Sequence, residues 1–283
     1  MTQVKIVTDS SARLSAAEIN DLDITVVPLT VMIDGTVYAD GETITGTEFM
    51  DAMAKADALP KTSQPALGAF VDKFDELAAT GEDVQILSIH MTDALSGTVH
   101  SAEQAGQISK GDVVAIDSQM TDRALGFQVV TAAKMAKDGA SRDEIIAAIN
   151  DVRDHTKLYV TVPTLDNLVA GGRLNKAVGF IGGFLNIKVV IELIDGKIAI
   201  AAKGRGMKVI NKAYQDFYAE MDAHGSIKRV GLSHAGNLDE ALMVQAEISK
   251  RFPDAEIFVD QTSPIIATHT GAGALAVIYE FGE

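Results

Sequence analysis

No cysteine occurs in the 283 residues. That absence excludes disulfides, thiol catalysis and cysteine-ligated metal sites together. No apolar run reaches the ~20 residues that a helix needs to cross a bilayer. The first residues enter "VKIVTDSS" with neither a basic region nor a cleavage site, so no signal peptide is expected and a cytoplasmic protein is. Positive charge is scarce as well: 24 Lys and Arg stand against 39 Asp and Glu, a formal charge of −15. No cluster of bases is large enough to offset this, so a nucleic-acid partner is not expected.

Motifs of strong chemistry are also missing. The chain has no G-x-x-x-x-G-K-[ST], no H-E-x-x-H and no G-x-S-x-G. Its six histidines form no pair at metal-ligand spacing on one helix face, so no metal is expected. Gly271 to Ala276 reads G-x-G-x-x-A, the form of a dinucleotide fingerprint. Only seven residues follow, too few for the crossover helix and second strand that such a unit needs. A turn that lets backbone approach a ligand is the better reading, because Gly reaches conformations closed to other residues.

What is present points to an α/β protein. Hydrophobic residues make up 47% of the chain, ample for real cores, and the length favours two domains. Short β-branched runs alternate with amphipathic segments. Leu67, Phe70, Val71, Phe74 and Leu77 mark one such helix, which stops at Gly81. The stretch "ITVVPLTVMID" reads as one strand that turns at Asp34-Gly35. The alternation predicts an N-terminal three-layer α/β/α domain over residues 1–155, with a mostly parallel sheet. A hairpin turning at Asp195-Gly196 predicts a C-terminal α/β domain with a mixed sheet over residues 156–283. The segment near residues 60–80 is a candidate to pack with the second domain.

Four polar stretches fall between strands or loops and helices: Thr8 to Ser11, Thr62 to Pro65, Ser96 to Thr98, and Asp117-Ser118. Such junctions line the crevice beyond strand ends, where small anions meet free amides. Each is equally a set of preferred helix caps. His269 is distinguished by its company of threonines and glycines, against the plain reading of a structural histidine. Pairing with Ser96 would give a nucleophile and base, which leaves a serine hydrolase open. The run "VGFIGGFLNI" carries Phe180, Ile181, Phe184 and Leu185 around two glycines. It reads as a core helix or as the wall of an apolar pocket.

In their order, "VTDSS", "TSQP", "SGT", "IDS", "GGR", "KGRGMK" and "HTGAGA" make the chain resemble the DegV family of bacterial fatty-acid-binding proteins. These motifs run from residue 7 to residue 274. The resemblance implies a two-domain α/β protein that encloses one long-chain fatty acid between its domains. It also implies a partner, an ATP-dependent fatty acid kinase that phosphorylates the bound carboxylate to an acyl-phosphate for phospholipid synthesis. The chain would then be a carrier and co-substrate rather than an enzyme, with the fatty acid as ligand and no cofactor. By the same resemblance the carboxylate lies at Thr62, Ser63, Ser96, Gly97, His269 and Thr270, with Thr62 and Ser96 in direct contact. Phe180, Ile181, Phe184 and Leu185 supply part of the acyl tunnel. Arg173, Arg205 and Lys203, with Lys208, form a basic mouth that faces the kinase. Transient contact with a membrane surface for lipid exchange is expected, and no transmembrane segment. Burying ~16 carbons at ~0.8 kcal/mol each gives a gross gain on the order of 12 kcal/mol before ordering costs. A regulatory binding module is the remaining alternative, and the acidic charge counts against DNA as its partner.

Overall fold

The strand and helix periods of the sequence produce the elements almost in the order read. The structure, a computed structural model, describes residues 3–174 and 187–282. The first half runs β1 (Gln3–Asp9), α1 (Ala16–Asp21), β2 (Thr25–Val27), β3 (Thr30–Ile33), β4 (Thr36–Ala39), α2 (Gly46–Lys55), β5 (Lys61–Ser63) and α3 (Leu67–Ala78). It continues through β6 (Val84–His90), α4 (Thr98–Ile108), β7 (Asp112–Asp117), α5 (Asp122–Lys137) and α6 (Arg142–Asp154). The second half runs β8 (Thr156–Val162), α7 (Asp166–Ala170), β9 (Ile187–Ile194), β10 (Lys197–Arg205), α8 (Lys208–His224) and β11 (Ile227–His234). It closes with α9 (Leu238–Arg251), β12 (Glu256–Gln261), α10 (Pro264–Thr270) and β13 (Leu275–Phe281).

Two principal sheets result. A parallel sheet has the order β2-β1-β6-β7. A mixed sheet has the order β10-β9-β8-β13-β11-β12, antiparallel except where β11 and β12 pair. A small antiparallel sheet, β4-β3-β5, stands apart. "ITVVPLTVMID" is therefore two strands in two sheets rather than one. Pro28 has no N–H to continue a ladder, and the chain crosses from the parallel sheet to the small one at that point. The hairpin turn at Asp195-Gly196 is as read, with φ of 48° and 73°.

Helix α5 sits between the two principal sheets. It packs on β1 and β6 on one side and on β8, β11 and β13 on the other. Ala124, Ala132 and Ala133 are buried along it, and their small side chains let backbone layers approach. Helices α3 and α4 cover the far face of the parallel sheet, where Phe70 and Phe74 are fully buried. Helices α8 and α9 cover the far face of the mixed sheet. The mixed sheet is thus buried on both faces, which explains why its strands read as nearly continuous apolar runs. Strand alternation sends Leu158, Ile191 and Ile278 into the core that also holds the buried residues of α5, and Tyr159, Val190 and Tyr279 into the core that holds those of α8.

Candidate functional site

The face of the mixed sheet that looks toward the first half does not close completely. Leu158, Val160, Ile191, Leu193, Ile198 and Ala276 of that sheet meet Leu29, Met91 and Leu95 of the first half, with Leu168, Ile265 and Ile266 at the side. They bound a pocket enclosing about 960 Å³ of empty space, its solvent-facing mouth included. The β9–β10 turn is fixed beside it, because Thr92 Oγ1 donates to Gly196 O at 2.8 Å.

One end of the pocket is polar and carries Thr62, Gln64, Ser96, Arg173, His269 and Thr270. Thr62 comes from β5, Ser96 from the loop ahead of α4, and His269 from the last turn of α10. Thr62 Oγ1 and His269 Nε2 lie 2.8 Å apart in a hydrogen bond. His269 Nδ1 is buried and has no hydrogen-bond partner among the described residues. Burial first, and then the charge of Arg173, pull the His269 pKa down to about 4, so the ring is neutral at physiological pH. Arg173 donates through Nη1 to Gly171 O at 2.7 Å and through Nε to Leu95 O at 3.2 Å. Burial lowers its pKa as well, and a guanidinium remains charged regardless.

Local sequence explains this placement. Helix α10 starts with Ser263 as cap and Pro264 in its first turn, and it ends at Gly271 with φ of 78°. No element is expected from the sequence at residues 264–270, although the Ser-Pro start and the Gly stop are both visible in it; the turn expected at the glycines follows the helix. Gly171 stands against the ring: a Cβ there would lie 2.2 Å from His269 Nδ1. The G-x-G segment links α10 to β13, with Gly273 N donating to Ala235 O and Ala235 N to Ala274 O.

The remaining sequence-derived residues fall in several places. Ser63 and Gly97 line an outer groove that shares Thr62, Gln64, Leu95, Ser96 and Arg173 with the pocket mouth. Thr270 lines the pocket, but its hydroxyl donates to Ile266 O within the helix. Arg205, Lys203 and Lys208 are exposed, and none of them lines the pocket or the groove. Phe180, Ile181, Phe184 and Leu185 lie outside the described residues. Gln64 was missed, although it stands in the "TSQP" stretch; its Nε2 donates to Ser101 Oγ at 2.6 Å. A Cβ at Gly97 would come within 2.5 Å of Gln64 Oε1, so these two segments need that glycine to approach. The apolar wall from β8 and β9 was also missed, because alternation marks a buried face without saying what fills it.

Ser96 and His269 share the pocket without forming a dyad. Ser96 Oγ pairs with Thr98 Oγ1 at 2.8 Å, while the ring is engaged by Thr62. A triad pattern does occur elsewhere. Ser88 Oγ lies 2.6 Å from His90 Nε2, and His90 Nδ1 lies 2.9 Å from Asp9 Oδ2. All three are fully buried and line no part of the pocket. Burial disfavours the Asp9 charge, yet the hydrogen bond and field of His90, with bonds from Ser11 and Met91 N, hold its pKa below the usual value. This cluster ties β1 to the segment that carries Met91 into the pocket. Thr8 and Asp9, read as crevice residues, are therefore structural. Ser118 is too, since its hydroxyl bonds the backbone of Met120.

Among the described residues, no group of three or more His, Asp or Glu could hold a metal ion, and no helix is long and apolar enough to cross a membrane.

Comparison with known proteins gives one consistent result. A family model described as an uncharacterised protein of the DegV family matches residues 3–282. A DegV domain-containing protein of Streptococcus pneumoniae is 40% identical over 281 residues, covering 99% of each chain. The crystal structure of DegV from Bacillus subtilis, described as a fatty acid binding protein, superposes with a TM-score of 0.91 at 29% identity over 100% of both chains. A DegV family protein from Thermus thermophilus, described by its fatty acid binding, gives a TM-score of 0.88 at 30% identity, over 99% of this chain and 100% of that one.

Proposed function

The chain belongs to the DegV family, and from that premise we propose that it binds one long-chain fatty acid in the pocket between its sheets. The observation that carries this reading is the make-up of that pocket: a long apolar wall with a cluster of polar, mostly neutral groups at its mouth. An alkyl chain gains by leaving water, and a carboxylate needs donors where it is partly desolvated. Thr62 and Ser96 hydroxyls serve as those donors. The neutral His269 orients the Thr62 hydroxyl, and Arg173 supplies charge at the mouth without closing on the carboxylate. Hydroxyls suit a group that changes from carboxylate to acyl-phosphate, because they bind both without demanding one geometry.

In this reading the protein is a cytoplasmic carrier that presents the carboxylate to a separate ATP-dependent fatty acid kinase. A carboxylate oxygen attacks the γ-phosphorus of ATP, the bond to the ADP oxygen breaks, and the acyl-phosphate remains in the pocket while ADP leaves. The outer groove by Ser63, Gly97 and Arg173 opens onto the polar end, where the phosphate must arrive. Arg205 and Lys203 are exposed for contact with the kinase, and lipid exchange at a membrane surface loads and unloads the pocket. The carrier reading is favoured over the hydrolase because Ser96 and His269 are each engaged by a different threonine.

Organic extraction of protein purified from cells, followed by mass spectrometry, tests the carrier role. One fatty acid per chain is expected. Protein that carries no lipid and takes up none when it is added would overturn the proposal.

A further inference from the structure

The pocket has a second polar patch, made where α5 begins beside the ends of β11 and β12. Asp122 is 2% exposed and accepts from Ser233 Oγ at 2.5 Å, from Thr262 Oγ1 at 2.6 Å and from Arg123 N at 2.7 Å. Both hydroxyls have committed their protons to that carboxylate and keep lone pairs for other donors. Thr121 lines the same pocket, is 8% exposed, and its Oγ1 has no hydrogen-bond partner among the described residues. A buried hydroxyl left unmet is costly, so a ligand group that reaches this one from the pocket gains by meeting it.

The patch stands apart from the head-group end. Thr262 lies just ahead of α10 and His269 lies in its last turn. The length of that helix separates them, roughly 10 Å at 1.5 Å per residue. A fatty acid with its carboxylate at Thr62 and Ser96 therefore passes the patch well along its chain.

We propose that this patch recognises a hydroxyl carried near the middle of the acyl chain, so that the preferred ligand is a mid-chain hydroxy fatty acid. The inference rests on the fatty-acid reading of the pocket. A hydroxyl both donates and accepts, which matches one free donor at Thr121 and the lone pairs of Ser233 and Thr262. A methylene leaves Thr121 unmet. A second carboxylate there would face the carboxyl group of Asp122.

The test is a competition among octadecanoic acid and its alpha-hydroxy, mid-chain hydroxy and terminal hydroxy derivatives, using full-length protein stripped of lipid. The mid-chain derivative is expected to bind about tenfold more tightly than the plain acid, equivalent to ~1.4 kcal/mol. In Thr121→Val the ratio of the two affinities falls to about one, mainly because the plain acid binds better. Equal affinity in the unsubstituted protein overturns the proposal without recourse to any variant. So does a preference for the alpha or terminal hydroxyl, or one that survives Thr121→Val. Failure of all four acids to bind would instead overturn the fatty-acid reading itself.

Discussion

Burial favours the neutral form of two side chains, His269 and Asp40, with opposite consequences for the pH dependence of stability. His269 is held near pH 4, so between pH 4 and 6.5 the unfolded chain takes up a proton that the folded one refuses. Through that residue, stability rises with pH across the window. Asp40 works the other way. Burial, with the charge of Asp9 adding to it, pushes its pKa up to about 7 against hydrogen bonds from Ser10 and Ser263 and the field of Arg13. Between its ordinary value of 3.8 and about 7, the folded chain keeps a proton that the unfolded chain has released. Stability through Asp40 is therefore full below that window and falls as pH rises through 7, by at most about 4 kcal/mol. Asp40→Asn should remove this loss, because an amide oxygen still accepts from Ser10 and carries no charge. Urea denaturation should find the variant more stable than the wild type at pH 8 and nearly equal to it at pH 4. No gain at pH 8 would show that Asp40 titrates normally.

At the scale of elements, α10 is the short piece on which the head-group end depends. Its seven residues carry His269, and both its ends are fixed by sequence. Gly271 adopts φ of 78° with ψ of 166°, a region that essentially only Gly occupies, and a Cβ there would lie 3.1 Å from the Asn167 side chain. Asn167 in turn donates to Thr268 O at 2.9 Å, which pins α7 to α10. Gly271→Ala should cost ~1–3 kcal/mol of stability. It should also weaken fatty-acid binding, because the strain is relieved by moving the turn that holds His269 against Thr62. Thermal melts paired with binding titrations check both effects, and a variant with unchanged affinity would show that α10 does not set the head-group geometry. Most elements were legible in advance because caps and periodicity are local. Thr45 with Glu48, and Ser141 with Glu144, form capping boxes at the starts of α2 and α6. The division of residues 24–34 between two sheets was not legible, since each strand is chosen by partners far away in sequence.

Over the whole molecule, one continuous core joins the two halves. It includes Val4 and Ile6 of β1, Leu125 and Val129 of α5, and Leu158, Ile191 and Ile278 of the mixed sheet. Arg13 adds a polar tie, donating to Gln261 O and pairing with Asp260. A core shared in this way should unfold as a unit. A single calorimetric transition is expected, moving to higher temperature as fatty acid is added because only the folded state binds it. Two separate transitions would show that the halves are energetically independent. The sequence by itself determined the α/β class, the family resemblance, the absence of cysteine chemistry, and the presence of Thr62, Ser96 and His269 among the site candidates. Periodicity, capping and composition are properties of neighbouring residues, and they survive without a fold. Only the tertiary structure decided that Thr62 and His269 share a hydrogen bond 207 residues apart. It alone turned Asp9 and His90 inward, and it alone set Thr121 beside an apolar cavity. Those facts depend on which faces of distant strands and helices meet, and burial, not residue type, determines what each polar group can then do.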